Sequence, residues 1–156
     1  MTITSAICNS FKTQILTATH NFTVTSGNTF KIALYSSDSA ALSKSTTAWA
    51  AASVPSADPT DTYEVTTSGS GYASGGSALT SATPILSGDT ACCLFSSISW
   101  GSTASFTARG CLIYNSSASN KAVCAINFGA DKTVTSGTFT IEFPAQTAGN
   151  AIIQIA

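Results

Sequence analysis

Hydrophobic and polar positions alternate over much of the chain, and this alternation predicts β-strands. In residues 29–36, alternate positions are apolar at Phe30, Ile32 and Leu34. Because successive side chains of a strand point to opposite faces, this segment predicts a strand with one buried face. Residues 138–143 alternate in the same way and stop at a proline, which cannot donate a ladder hydrogen bond. A further strand is predicted at residues 151–155.

A hairpin is predicted on either side of the polar segment 115–120, which is rich in Ser and Asn. If Tyr114 pairs with Lys121, the antiparallel register places Cys111 directly opposite Cys124. Two facing cysteines allow a cross-strand disulfide in an oxidising setting. The alternative, which we favour, is a pair of small buried thiols.

One helix is predicted near the N-terminus. Phe11, Ile15 and Ala18 recur at near-helical spacing, and Asn9 or Ser10 is available as an N-cap. A weaker helical turn is expected at 40–44, followed by an extended loop over 48–59 that contains two prolines.

Clusters of Gly, Ser, Asn and Asp lie between these segments and predict turns, among them residues 136–137. Hairpins in sequence, without βαβ units, predict an all-β fold. We expect a mainly antiparallel β-sandwich or barrel of about seven to nine strands with one short N-terminal helix. Residues 1–156 are long enough to bury one hydrophobic core, so a single domain is expected.

Charge is scarce in this sequence. Charged residues make up 8% of the chain and the net charge is -1, whereas an ordinary domain carries about 25% charged residues. Ser and Thr together number 49, so neutral hydroxyl groups must cover much of the surface. The six basic residues are scattered from Lys12 to Lys132, which argues against nucleic acid as a partner. No segment has the roughly 18 apolar residues of a membrane helix, and the first residues do not resemble a secretory signal, so no membrane partner is expected.

Candidate catalytic and metal-binding residues are few. The five cysteines include no Cys-x-x-Cys pair, and His20 is the single histidine, so neither a metal nor a cofactor is expected. No nucleophile motif accompanies His20, which favours a structural role at the end of the helix. Glu64 and Glu142 could act as a carboxylate pair in glycoside hydrolysis, but each is predicted on a solvated face. The sequence therefore predicts that the protein is not an enzyme.

Trp49 is the candidate for an exposed interface aromatic. It lies in an Ala-rich segment, whereas Trp100 follows Ile98 at strand spacing and is expected to be buried. An exposed tryptophan can stack on a sugar ring or on a protein partner. Core packing is the alternative.

The order of several short segments resembles a family of small virion proteins of tailed bacteriophages, including phages of cyanobacteria. These segments span nearly the whole chain: Asn9-Ser10-Phe11-Lys12, Thr19-His20-Asn21-Phe22, residues 29–35, residues 71–76, residues 108–115, Asn127-Phe128-Gly129 and residues 137–141. Members of this family are similar to capsid cement or decoration proteins. The chain departs from the family pattern at its cysteines, Cys92, Cys93, Cys111 and Cys124.

The resemblance implies a β-rich structural protein without catalytic residues, bound non-covalently to the outer surface of the capsid. Its implied partners are the major capsid protein and further copies of itself, as a homo-oligomer that is a dimer or a trimer. The implied location is the virion, after synthesis in the cytoplasm of the host bacterium. Contacts with the shell are expected in the loop over 40–59 and at the two termini, because loops on rigid β scaffolds carry binding surfaces.

A second hypothesis assigns a different function to the same predicted fold. In this alternative the protein is a module on a tail or fibre that binds a host glycan through Trp49 and nearby hydroxyl groups.

Overall fold

The computed structural model describes residues 2–36, 42–49 and 63–156. Most of the predicted contact loop over 40–59, and part of the helical turn at 40–44, lie outside the described residues. Within them the chain forms one α-helix, a single 3-10 turn at Ser116–Ala118 and eight strands. In chain order these are β1 (Ala6–Ile7), α1 (Asn9–Leu16), β2 (Phe30–Tyr35), β3 (Ser77–Leu79), β4 (Ile85–Ser87), β5 (Thr90–Cys93), β6 (Ile98–Asn115), β7 (Lys121–Ile141) and β8 (Ile153–Ile155).

The strands form two sheets. One has five strands in the order β1-β7-β6-β2-β3, and the other has three in the order β4-β5-β8. All of the strand pairs in these sheets are antiparallel. The predicted all-β class, with antiparallel sheets and one short N-terminal helix, is confirmed.

Strand β2 is an inner strand of the larger sheet, between β6 and β3. It begins one residue later and ends one residue earlier than the predicted strand. Its burial differs from the prediction, because Ala33 and Tyr35 are buried as well as Phe30, Ile32 and Leu34. A central strand that is covered on both sides buries both parities, so the expectation of one polar face is wrong here.

Strands β6 and β7 form one long ribbon. The predicted turn at residues 136–137 is wrong, since β7 continues through these residues to Ile141. Ser136 adopts a left-handed conformation with φ 46°, and the register of the ribbon shifts on both sides of Ala104, which pairs with Gly137. Such irregularities bend a strand and increase its twist without ending it.

The predicted register of the β6–β7 hairpin is wrong near the turn. Cys111 lies opposite Ile126, and Cys124 lies opposite Ile113. The register shifts between Ile113 and Tyr114, which places one extra residue on β7. The two cysteines are therefore diagonal neighbours on one face, not a directly facing pair.

Aromatic rings join the elements in the core. Phe22 and Phe30 stack with centroids 4.3 Å apart, and Phe95, which lies just after β5, packs against both rings. Phe11 of α1 packs edge-on against Phe22 at 6.1 Å. Because Phe30 belongs to the larger sheet, this cluster connects the helix and the segment after β5 to it. The helix has Cys8 as its N-cap and no side-chain cap, so neither Asn9 nor Ser10 caps it as predicted.

Candidate functional site

The carboxylate of Glu64 is held by three hydrogen bonds from the segment that precedes β3. Tyr72 Oη and the Gly75 N–H donate to Oε1 at 2.8 and 2.6 Å, and Ser74 Oγ donates to Oε2 at 3.3 Å. The Tyr72 hydroxyl in turn accepts the N–H of Leu34 at 2.9 Å. The prediction that Glu64 lies on a solvated face is therefore wrong. Its carboxylate ties this segment to β2.

Three further aromatic residues extend this cluster. Tyr114 Oη donates to the Gly75 carbonyl at 2.7 Å, and its ring stacks on Trp49 with centroids 5.2 Å apart and an interplanar angle of 11°. Tyr35 forms a backbone bridge with Glu64. The Glu64 carboxylate and the hydroxyls of Tyr72 and Tyr114 thus hold the segment around Gly75 against the larger sheet.

The tyrosines of this cluster remain protonated at neutral pH. Burial raises the pKa of Tyr72 and of Tyr35 far above the ordinary value, and the negative charge of Glu64 raises both further. Burial, followed by the charge of Glu64, raises the pKa of Tyr114 to about 12. The phenols of Tyr72 and Tyr114 therefore keep the protons that they donate to Glu64 and to the Gly75 carbonyl.

Trp49 is half-buried rather than exposed. One face of its indole is covered by Tyr114, and its backbone N–H donates to Asn120 O at 2.9 Å. The indole Nε1 is buried and has no hydrogen-bond partner among the described residues. An interface role for Trp49 stays a prediction, and at most the other ring face is available for it.

His20 is buried in a network of side chains. Its Nε2–H donates to Gln14 Oε1 at 2.8 Å, and its Nδ1 accepts from Asn115 Nδ2 at 3.1 Å. We assign this tautomer because the Asn115 amide nitrogen is a donor, which also bonds Asn28 Oδ1 at 2.9 Å. Asn115 Oδ1 accepts the N–H of Ser117 at 3.1 Å and caps the 3-10 turn. Both ring nitrogens therefore hold the fold together.

The surroundings of His20 favour its neutral form. Burial lowers its pKa below 6.5, and the positive charge of Lys121 lowers it further. Its ring lies 4.8 Å from that of Phe11. The helix ends at Leu16, so His20 follows it by four residues and does not lie at its end as predicted.

All five cysteines are free thiols in this structure. Burial raises the pKa of Cys8 to about 11 and that of Cys124 to about 12, and it raises the pKa of Cys111 well above 9. Thiols with such pKa values are poor nucleophiles at neutral pH. Cys111 and Cys124 are both buried here, and a disulfide between them in an oxidising setting stays a prediction. Among the described residues, no three His, Cys, Asp or Glu side chains are placed to hold a metal ion.

Glu142 lies apart from the Glu64 cluster, at the rim of a groove beside the end of β7. Phe128, Phe139 and Ile141 line this groove, which has a volume of about 340 Å³, and Lys132 contributes a positive charge. Glu142 itself is exposed, as predicted. Glu142 directly follows β7, whereas Glu64 forms a backbone bridge with Tyr35 of β2, and no hydrogen bond among the described residues connects the two glutamates.

The outward face of the β6–β7 ribbon carries hydroxyl groups that pair with each other. Ser99 and Thr140 lie opposite one another with their oxygens 2.7 Å apart, and Thr107 and Thr133 do the same at 2.8 Å. The inward face carries aromatic rings, with Trp100 opposite Phe139 in the register of the ribbon; these rings pack at 5.9 Å. The hydroxyl-rich surface that the composition predicts is visible on this ribbon.

Exposed apolar side chains concentrate in the smaller sheet. Five large hydrophobic residues of the described chain are exposed, and three of them, Ile85, Leu86 and Ile155, belong to β4 or β8. The other two are Leu16 and Val24. The apolar composition of residues 151–155 predicts the last strand but gives no sign that its final isoleucine is open to solvent.

Comparisons with known proteins give no match: no protein-family model, curated protein or solved structure is similar to this chain. In the part of the chain that the structure describes, no helix is both long and apolar enough to cross a membrane.

Proposed function

We propose that the protein is a capsid cement protein that binds the assembled shell of a tailed phage and stabilises it. The observation that carries the proposal is the smaller sheet, where exposed apolar side chains gather in a part of the chain almost free of charge. Binding to the assembled shell, and not to its free subunits, stabilises the assembly by mass action. This task needs contact area and no chemistry.

The arrangement of the reactive side chains supports this proposal. Glu64, His20 and the tyrosines near Glu64 all hold segments of the fold in place. A surface of short hydroxyl side chains also loses little rotamer entropy when it docks. The major capsid protein is the proposed partner, and a symmetric dimer or trimer would multiply a weak contact.

The alternative function, binding of a host glycan on a tail or fibre, depends on Trp49. A sugar stacks on an open aromatic face, and Tyr114 already occupies one face of Trp49. The half-buried position of Trp49 therefore gives this alternative less support. A Trp49→Ala variant separates the two functions, because loss of glycan binding with intact incorporation into virions would favour the alternative.

The direct test is the number of copies per particle. Purified virions and a fraction of tail-less heads are compared by quantitative mass spectrometry, with the major capsid protein as the internal standard. The cement function predicts hundreds of copies that remain on the heads. A few copies confined to tails would support glycan binding instead, and absence from the particles would refute both functions.

A further inference from the structure

The groove beside the end of β7 combines aromatic rings with two opposite charges. Three half-buried apolar residues and three exposed polar residues line it: Phe128, Phe139, Ile141, Lys132, Thr140 and Glu142. A concave site of about 340 Å³ with a few polar groups among apolar side chains is typical of a ligand-binding site. We call this site the β7 groove.

Irregular strand pairing builds the β7 groove. Asn127 pairs with Gly110, and Lys132 pairs with Ala108. Five residue steps along β7 therefore face two along β6, and Phe128 belongs to the resulting bulge. A straight strand would separate Phe128 from position 139 by about 36 Å, so the two rings share a groove because β7 bends. Bulges are common beside binding sites, where they redirect side chains.

The two charged side chains of the β7 groove are available to a ligand. In the part of the chain that the structure describes, no hydrogen bond or ion pair engages the Lys132 ammonium or the Glu142 carboxylate. The Thr140 hydroxyl is already paired with that of Ser99 at 2.7 Å. Lys132 and Glu142 are therefore the polar groups that remain to bond a ligand.

The chemistry of the β7 groove selects a neutral ligand that carries hydroxyl groups. The charges of Lys132 and Glu142 cancel, and Asp131 beside Lys132 is bonded to Arg109 instead, so neither an anion nor a cation meets an excess of opposite charge. An ammonium group only donates hydrogen bonds and a carboxylate only accepts them, whereas a hydroxyl group does both. Aromatic rings pack against an apolar face. A sugar ring has both hydroxyl groups and a face of C–H groups.

The size of the β7 groove also fits a small ligand. Its volume of about 340 Å³ lies near the lower end of the range for ligand sites, which begins at about 300 Å³. A folded protein partner needs about 800 Å² of contact surface on each side, which two phenylalanines and an isoleucine do not provide. A single sugar unit needs far less.

We propose that the β7 groove binds one neutral sugar unit of a glycan, with its aromatic rings against the C–H face of the sugar and with Lys132 and Glu142 bonded to the hydroxyl groups. Trp49, to which the alternative function assigns glycan binding, bonds Asn120 just before the start of β7, whereas the groove lies beside the end of that strand. The proposal goes beyond the cement function and does not depend on it.

The test is a titration of the purified protein with single sugars, followed by NMR shifts of the backbone amides. The probes are glucose, galactose, mannose and N-acetylglucosamine. We expect at least one of them to bind with a Kd of about 1 mM and to shift the amides of the β7 groove. Lys132→Ala and Glu142→Gln are each expected to weaken binding about fivefold or more.

Lys12→Ala is the matched control, because Lys12 is also an exposed lysine but belongs to α1. It is expected to bind the sugar as the wild type does. Phe128→Ala removes one ring of the groove and is expected to weaken binding as well. Thermal unfolding shows whether each variant is folded, and the exposed positions Lys132 and Glu142 decide the test if Phe128→Ala does not fold.

The outcomes distinguish the β7 groove from other sites and other ligands. No amide shift with any of the four sugars at about ten times the expected Kd would refute the proposal. Equal binding by the wild type, Lys132→Ala and Glu142→Gln would refute it too, and loss of binding in Trp49→Ala alone would assign the sugar to Trp49. Free phenylalanine, a zwitterion with an aromatic ring, is titrated in parallel, and its binding more tightly than every sugar would overturn the proposal in favour of a charged ligand.

Discussion

At the scale of single residues, Glu64 shows how partners distant in the chain decide what a carboxylate does. Its donors Tyr72, Ser74 and Gly75 lie eight to eleven residues away, and its backbone bridges to Tyr35. A short strand with alternating polarity predicts an exposed glutamate, and no local pattern indicates that a loop will fold back over it. Only the tertiary structure turns this side chain into an anchor.

Replacing Glu64 tests the anchor. Glu64→Ala leaves the Tyr72 hydroxyl and the Gly75 N–H without their acceptor, and we expect a loss of about 2 to 4 kcal/mol in the free energy of unfolding. Glu64→Gln keeps an acceptor oxygen, and we expect a loss of about 1 kcal/mol or less. Urea unfolding measures both values. Equal losses in the two variants would contradict the assigned role of the acceptor oxygen.

His20 makes the stability of the fold depend on pH. Its pKa is lower in the folded protein than its ordinary value of 6.5, so the folded state favours the neutral ring. Its contribution to stability is full above about pH 6.5 and is lost as the pH falls from there towards the lower folded pKa. Protonated Nδ1 would also place a donor against the donor amide of Asn115.

The matched variant for this prediction is His20→Gln, which has no titrating group between about pH 5 and pH 7.5. Thermal unfolding of both proteins is measured across that range. We expect the melting temperature of the wild type to fall further than that of His20→Gln as the pH falls. Parallel curves for the two proteins would show that His20 does not couple folding to pH.

At the scale of elements, the approach of the segment before β3 to β2 depends on a glycine. Gly76 has φ +68°, and a Cβ there would lie 1.7 Å from the carbonyl oxygen of Ile32. Gly129 has φ +77° with open space around it. Both glycines thus have a left-handed backbone, but only at Gly76 would an added Cβ meet the backbone of β2.

Substitution by alanine separates these two effects. Gly129→Ala incurs the left-handed strain alone, and we expect it to destabilise the protein by about 1 to 2 kcal/mol. Gly76→Ala adds a backbone clash, and we expect a total of about 3 kcal/mol or more. Chemical denaturation measures both. If Gly76→Ala is no worse than Gly129→Ala, then β2 and the segment before β3 do not pack this closely.

The elements also show which parts of the fold the sequence can predict. Alternation locates β2 to within one residue at each end, because a strand pattern is local. The predicted register of Cys111 and Cys124 is wrong in two steps: Lys121 pairs with Asn115 and not with Tyr114, and the irregularity next to Ile113, which leaves no residue signature, shifts the register by one more. The Ser-Gly pair at 136–137 has the composition of a turn, yet pairing with β6 extends β7 through it. Tertiary pairing here overrides local propensity.

The candidate site was less predictable than the fold. Ile153 and Ile155 point to the same face of the smaller sheet, yet Ile153 is 3% exposed and Ile155 is 56% exposed. Which part of this face is covered depends on tertiary packing, which a strand pattern does not reveal. Trp49 was the expected surface aromatic, but the ring of Tyr114 covers one of its faces. Contacts of this kind join residues that are far apart in the chain, which a local pattern does not encode.

At the scale of the whole molecule, the charged side chains are unevenly distributed. Asp89 is the single charged residue of residues 81–97 and 143–156. Lys12, Lys31, Arg109 and Lys121 all belong to α1 or to the strands of the larger sheet. If the smaller sheet faces the shell, the contact contains almost no charge and the charged side of the molecule faces solvent.

This separation predicts how salt affects binding to heads. Charge-dependent contacts weaken as the screening length shortens from about 10 Å at 0.1 M salt to about 3 Å at 1 M. An apolar contact is instead strengthened by sulfate, which is excluded from protein surfaces. We therefore expect co-sedimentation with heads to change less than about twofold between about 0.05 and 0.5 M sodium chloride, and to increase in sodium sulfate of equal ionic strength. A tenfold loss of binding in sodium chloride would show that the charged larger sheet, and not the smaller sheet, makes the contact.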